Sequence, residues 1–144
     1  MQIHQVTPDE WRLWRDIRLT ALASDPEEFG STLAREREYG DADWRARAAE
    51  GLKLVALDPG PVALVAATAK PDGLYLYSMW VRDCHRGRGV GEALVRTVLE
   101  WAAEEGWKVV RLRVWDDNLP ARRLYKRLGF VESEEPEHME FRVS

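Results

Sequence analysis

From Val81 to Glu92 the chain reads Val-Arg-Asp-Cys-His-Arg-Gly-Arg-Gly-Val-Gly-Glu. Three glycines alternate with larger residues, and three arginines crowd the same short stretch. Glycine has no Cβ, so Gly87, Gly89 and Gly91 allow the main chain to turn tightly and to come close to a ligand. A helical period begins at Val90, and a helix start adds unpaired N–H groups and the positive end of the helix dipole. Together these would make an anion site at the start of the helix. Arg82, Arg86 and Arg88 stand beside it, in a chain whose formal net charge is −4. A diphosphate is a ligand that would explain this local inversion of charge.

Three other readings compete. The glycines could serve a turn alone, with the arginines as a solvated rim. A strand, a glycine loop, a helix, a strand and Asp116 also occur in the order of a dinucleotide-binding unit. However, Glu92 stands where its third glycine is due, and too little chain follows Asp116 to complete a doubly wound sheet. A nucleoside-triphosphate loop lacks its Gly-Lys-Ser or Gly-Lys-Thr ending. Cys84 beside His85 could suggest thiol catalysis, but neighbours in an extended segment point opposite ways, which argues against a working pair.

The elements that must hold this loop follow from periodicity. Thr7-Pro8-Asp9-Glu10 is a capping box with proline in the first turn, and it predicts a helix from about Pro8 to Ala23. Asp25-Pro26 ends it, and a looser helical region covers Phe29 to Arg37 and Trp44 to Glu50, stopped by Gly51. Leu52–Leu57, Val62–Ala69 and Leu74–Val81 read as an antiparallel meander with turns at Asp58-Pro59-Gly60 and Pro71-Asp72-Gly73. Val62–Ala69 is apolar on both faces, as a central strand covered on two sides should be. Val90, Leu94, Thr97, Val98 and Trp101 recur at helical spacing up to about Glu105, and Gly106 closes that helix. A strand over Val109–Trp115 follows, then a helix capped by Asn118 and ended by Gly129. Short strands near Phe130–Glu132 and Met139–Val143 finish the chain.

Composition bounds the class. Of the 144 residues, 45% are hydrophobic and 32% charged, a globular balance and not that of a disordered chain. We expect one domain over residues 1–144. The acidic net charge gives no footprint for nucleic acid. No apolar stretch reaches the roughly 18 residues that a membrane span needs, and no leader peptide is evident, so we expect a cytoplasmic protein without a membrane partner. The single cysteine offers neither a disulfide nor a metal cluster, and no metal is expected.

Arg86-Gly87-Arg88-Gly89-Val90-Gly91 resembles the acetyl-CoA signature of the GNAT superfamily of N-acetyltransferases: Arg or Gln, two variable positions, Gly, one variable position, then Gly or Ala. Asn118-Leu119-Pro120-Ala121-Arg122-Arg123-Leu124-Tyr125-Lys126-Arg127-Leu128-Gly129-Phe130 resembles the family's downstream Asn, Ala, Leu-Tyr and Leu-Gly-Phe pattern. The resemblance extends over nearly the whole chain. It implies an α/β fold with a mixed, mostly antiparallel seven-stranded sheet, splayed at its centre and flanked by four helices.

The activity implied is transfer of an acetyl group from acetyl-CoA to a primary amine, by direct attack in a ternary complex. The acceptor would be a small-molecule or peptide amine, and the family's habits allow a homodimer. By motif position, the main chain of Met79, Trp80 and Val81 would pair with the pantetheine arm, and the loop amides of Arg86, Gly87, Arg88, Gly89, Val90, Gly91 and Glu92 would take the pyrophosphate. Asn118 would contact the arm as well as cap its helix. Tyr125 would hydrogen-bond the sulfur as general acid, although an ordinary phenol protonates a thiolate uphill by about 2 kcal/mol. Phe29 and Trp44 fall in the segment where the family builds its acceptor pocket, and Tyr77, on the strand before the loop, is a further candidate for contact with the acceptor. Some members that act on protein N-termini carry a glutamate where this chain has Arg113, which leaves the base open. Tyr77, Ser78, Glu28 or Glu36 could relay a proton through water. A non-catalytic acetyl-CoA sensor or regulatory subunit is the alternative reading, and a dinucleotide-dependent oxidoreductase module a further one.

Overall fold

A computed structural model describes all 144 residues, Met1–Ser144. The elements run β1 (Gln2–Gln5), α1 (Trp11–Ser24), α2 (Leu33–Arg37), α3 (Asp41–Ala49), β2 (Leu52–Leu57), β3 (Pro61–Lys70) and β4 (Gly73–Val81). Then come α4 (Val90–Glu104), β5 (Val109–Arg113), α5 (Leu119–Arg127), β6 (Val131–Glu132) and β7 (His138–Arg142). The seven strands form one sheet in the order β1-β2-β3-β4-β5-β7-β6. Every neighbouring pair is antiparallel except β4 and β5. A parallel pair needs a crossover, and α4 supplies it. The expected mixed, mostly antiparallel sheet is therefore present. The loose helical region resolves into α2 and α3, so five α-helices flank the sheet where the resemblance implies four.

Alternation along β3 sorts its side chains to two faces. Ala63, Val65 and Ala67 join a core with α4 and α5, whereas Leu64 and Ala66 join a second core with α1 and α3. Both sides of this strand are covered, as its two apolar faces predict. From α4, Leu94, Val95 and Val98 are wholly buried; each such side chain contributes about 1.5–3 kcal/mol of transfer free energy. From α1, Trp11, Trp14, Ile17 and Ala21 form the stripe that faces the sheet.

The helix starts are built locally. The Glu10 carboxylate accepts the Thr7 N–H at 2.9 Å, the reciprocal half of the capping box, and a short 3₁₀ turn over Pro8–Glu10 leads into α1. Asn118 Oδ1 accepts the Ala121 N–H at 3.3 Å and so caps α5. No helix is long and apolar enough to cross a membrane.

Candidate active site

The parallel ladder between β4 and β5 contains only Leu74 opposite Val110 and Tyr75 opposite Arg111. Past those pairs the strands part. On its other edge β4 stays with β3, but the register slips: Ala66 faces Tyr77 and Leu64 faces Trp80. Ser78 and Met79 therefore oppose the single residue Val65, a β-bulge that bends β4 and re-aims its side chains. Ser78 takes φ of +59°, a strained value for a residue with a Cβ.

A buried brace holds that strain. Arg18 Nη1 of α1 donates to Ser78 Oγ at 2.6 Å. Its Nε and Nη2 donate to the two carboxylate oxygens of Glu36 on α2, at 3.0 and 2.9 Å. The Glu36 side chain is 1% exposed and that of Arg18 11%. Burial alone would push the Glu36 carboxyl up, but the hydrogen bonds and charge of Arg18 outweigh it, and the group lies below its ordinary value.

The parted strands enclose a slot of about 490 Å³. Leu76 to Val81 form one wall, Leu112 to Trp115 the other, and Asn118, Ala121 and Tyr125 of α5 border it as well. Tyr125 is buried, with its ring edge-on to Phe130 at 5.5 Å between centroids. Burial first, and the negative charge of Glu28 second, push its phenol well above the usual tyrosine range. It stays protonated, and hence a donor, throughout the physiological range.

At the end of the slot lies the glycine-rich loop. Gly89 is the N-cap of α4 with φ of +80°, and Gly87 has φ of +76°. A Cβ at either would meet nothing within 4 Å, so both glycines serve the left-handed turn and leave the space over the loop open. The first main-chain bond into α4 runs from Ala93 N–H to the Gly89 carbonyl at 3.0 Å, so the amides just ahead of it have no intrahelical acceptor. Gly91 has ordinary φ, and a Cβ there would come within 2.6 Å of Met79 Cε, the mobile end of a flexible side chain.

The three arginines also divide. Arg82 donates to the Pro61 carbonyl at 3.2 Å. Arg86 donates to the Val81 carbonyl (2.8 Å) and to carboxylate oxygens of Asp25 (2.9 Å) and Asp83 (3.3 Å). Asp25 accepts the Trp80 indole N–H at 2.7 Å, and that bond, with those of Arg86, holds its carboxyl low despite burial. The side chains of Trp80 and Arg86 thus brace the loop against the end of α1, and both residues also border the slot. Arg88 is exposed and makes no ion pair.

Beyond the slot a chamber of about 720 Å³ opens, and Tyr77 and Ser78 border both spaces. Phe29 lies on the chamber wall beneath the Arg18 guanidinium, 4.8 Å from its ring centroid. Trp44 is only 2% exposed and belongs to the α1/α3 core, with Tyr39 edge-on at 5.5 Å. It borders a separate recess with Glu50 and Lys53, not the chamber. Tyr77 also reaches that recess, and burial, together with the charge of Glu50, pushes its phenol up to about 12.

Among the relay candidates, Glu28 borders both slot and chamber, whereas Glu36 is locked in its ion pair away from them. Trp115 is a site residue that sequence reasoning misses: it is 49% exposed on the walls of slot and chamber. Its place between β5 and the Asn118 cap is the signal that could have found it. Cys84 and His85 fall in a 3₁₀ turn, not an extended segment, and Sγ lies 3.2 Å from Nδ1. Neither residue borders the slot or the chamber.

Residues 11–130 match the acetyltransferase (GNAT) family. Human N-acetyltransferase 8B is 34% identical over 120 residues, which are 83% of this chain and 49% of that protein. The chain spans about half the length of that relative and of human N-acetyltransferase 8. Among solved structures, the aminoglycoside acetyltransferase HMB0005 from an uncultured soil metagenomic sample is 27% identical and superposes with a TM-score of 0.75 over 93% of each chain. The PaiA N-acetyltransferase of Thermoplasma acidophilum, solved in complex with coenzyme A, shares the fold at a TM-score of 0.75 with 14% identity over 98% of each chain.

Proposed function

Because the chain belongs to the acetyltransferase (GNAT) family, we propose that it transfers the acetyl group of acetyl-CoA to a primary amine by direct attack in a ternary complex. One observation carries the reading. A slot between two parted parallel strands is bordered by Val81 and Arg86, which flank the start of the glycine-rich loop, and meets a chamber at Tyr77 and Ser78. The residues fit a long ligand with a diphosphate at one end. The space over Gly87 and Gly89 is open; the Arg86 N–H is taken by the Asp83 carbonyl at 3.3 Å, but the amides from Gly87 to Glu92, with Arg88, offer an anion site. Past Tyr75 the β4 edge toward β5 is free for main-chain pairing at Met79, Trp80 and Val81. Asn118 uses its oxygen as a cap, which leaves its amide N–H groups for the arm.

When bound, acetyl-CoA supplies an activated acetyl group whose transfer to nitrogen sets a thiol free. Tyr125 holds its proton at the phenolic oxygen on the slot wall, where it donates a hydrogen bond toward sulfur. Its raised pKa makes outright loss of that proton still more uphill than for an ordinary phenol, so its contribution is chiefly a donated hydrogen bond. Main-chain N–H groups at the bulge can donate to a carbonyl oxygen that gains negative charge.

The attacking amine must be neutral. Deprotonating a lysine-like amine at pH 7 costs about 4.6 kcal/mol, and an α-amino group only about 1.4. Glu28 is the carboxylate at the junction of slot and chamber, positioned to gather the ammonium and to accept its proton. Glu28→Gln should lower kcat/KM by about a hundredfold while coenzyme A affinity stays within about twofold. Steady-state kinetics at several pH values, with calorimetry for the cofactor, check this; unchanged kcat/KM would remove Glu28 from the reaction.

The whole reading is tested by titrating coenzyme A calorimetrically and by following thiol release from acetyl-CoA with a panel of primary amines. Binding heat, and thiol that appears only when an amine is present, are expected. Absence of heat would overturn the assignment.

A further inference from the structure

Charge in the chamber is sorted by position, and this deepens the acyl-transfer reading, on which it rests. Glu28 borders slot and chamber together, so a carboxylate stands where an amine must meet the acetyl group; Glu27 stands beside it on the chamber wall. Four cationic or basic residues face the same space: Arg18, Lys70, Arg113 and His138. Arg18 is consumed by Glu36 and Ser78. His138 is turned to the Pro136 carbonyl, 2.8 Å from Nδ1, and to Glu135, 3.8 Å from Nε2. Lys70 and Arg113 are left.

Lys70 makes no ion pair, and its ammonium rests over the Tyr75 ring at 4.5 Å. Arg113 has its nearest carboxylate, on Glu137, 4.0 Å away, and its guanidinium stacks over Trp115 at 4.5 Å. A stacked guanidinium with spare N–H groups is an apt receiver for a planar carboxylate, which it can hold by two parallel bonds. Arg113 also borders the slot, so its charge lies near the amine end, while Lys70 borders the chamber alone.

We propose that the acceptor is a zwitterion, an α-amino acid or short peptide with a bulky apolar body. Its amine is received by Glu28, and its carboxylate by Arg113, with Lys70 reaching longer members of the class. The apolar body lies against Phe29, Tyr77 and Trp115. The chamber's 720 Å³ leaves ample room for such a body. A polycation would meet Arg113 and Lys70 as like charges, which selects against it.

The test compares thiol release from acetyl-CoA with L-phenylalanine, L-phenylalaninamide and spermidine, in the wild type, Arg113→Gln and Arg113→Lys. The amide is the less basic amine and has an intrinsic advantage. The informative quantity is therefore the acid-to-amide ratio of kcat/KM across variants, in which that advantage cancels. The ratio should fall on the order of tenfold in Arg113→Gln, as loss of a charged hydrogen bond implies, and recover in part in Arg113→Lys. Lys70→Gln should lower the same ratio for glycyl-L-phenylalanine against its amide. An unchanged ratio in an Arg113→Gln protein that still binds coenzyme A, or spermidine used in preference to the acid, would overturn the zwitterion proposal alone. So would coenzyme A binding without thiol release from the acid. Failure to bind coenzyme A would instead overturn the acyl-transfer reading, and the proposal with it.

Discussion

Tyr125→Phe should turn over about a hundredfold more slowly than the wild type and bind coenzyme A nearly as well. The substitution removes one oxygen from a buried ring and leaves its edge-on contact with Phe130 intact, so the fold has little reason to respond. What is lost is a proton held on the wall of the slot. Burial and the charge of Glu28 keep that proton on oxygen far above neutral pH, so its donor role is insensitive to pH over the working range. Single-turnover measurement of thiol release separates this from slow product departure. Unchanged turnover would take Tyr125 out of the chemistry and leave it as a core residue of α5.

Glu36→Ala should be the most destabilising of the changes considered, at about 3–5 kcal/mol, because it leaves the Arg18 guanidinium buried without its counter-charge. For a chain of this size that corresponds to a fall in Tm of roughly 10 °C or more. Thermal denaturation checks it, and a loss below about 1 kcal/mol would show that water readily replaces the carboxylate. The sign of the pH dependence follows from the lowered pKa. Stability from Glu36 is complete above its unfolded value near 4.5 and is lost as pH falls through the lower folded value. A Glu36→Gln variant should lose this component of acid sensitivity below about pH 4.5. The same variants slacken the grip of Arg18 on Ser78, so those that fold should also show a raised KM.

Much of the fold and of the loop is legible in the chain because the signals are local. The alternating glycines before Val90, the cap at Asn118 and the apolar stripe of α4 each lie within a few residues. Periodicity can therefore place them, and the resemblance can give them roles. The bulge is not legible at the level of its cause. Arg18, Glu36 and Ser78 are distant in sequence, and no period or cap links an arginine on one helix to a strained serine on a strand. Trp44 is buried in the core and does not border the chamber for a related reason: Ala48 follows one helical turn later on the same face, and that face turns into the core. Glu28 sits in a single 3₁₀ turn after Pro26, where no periodicity says which way a side chain points. Cys84 and His85 read as extended chain because the preceding strand has no marked end; a tight turn brings together what extension would separate.

The seven strands are stitched across the middle by only two residue pairs. On one side of that seam β1 to β4 form an antiparallel plate, and on the other β5, β7 and β6 form a second. Each plate is knitted within itself. A small rotation about the seam would spare the ladders within each plate and fall on those two pairs, on the bond from Arg111 to the Asp72 carbonyl and on the core that the plates share. A ligand that lays its own polar backbone along the gap would act as a mortar between the plates.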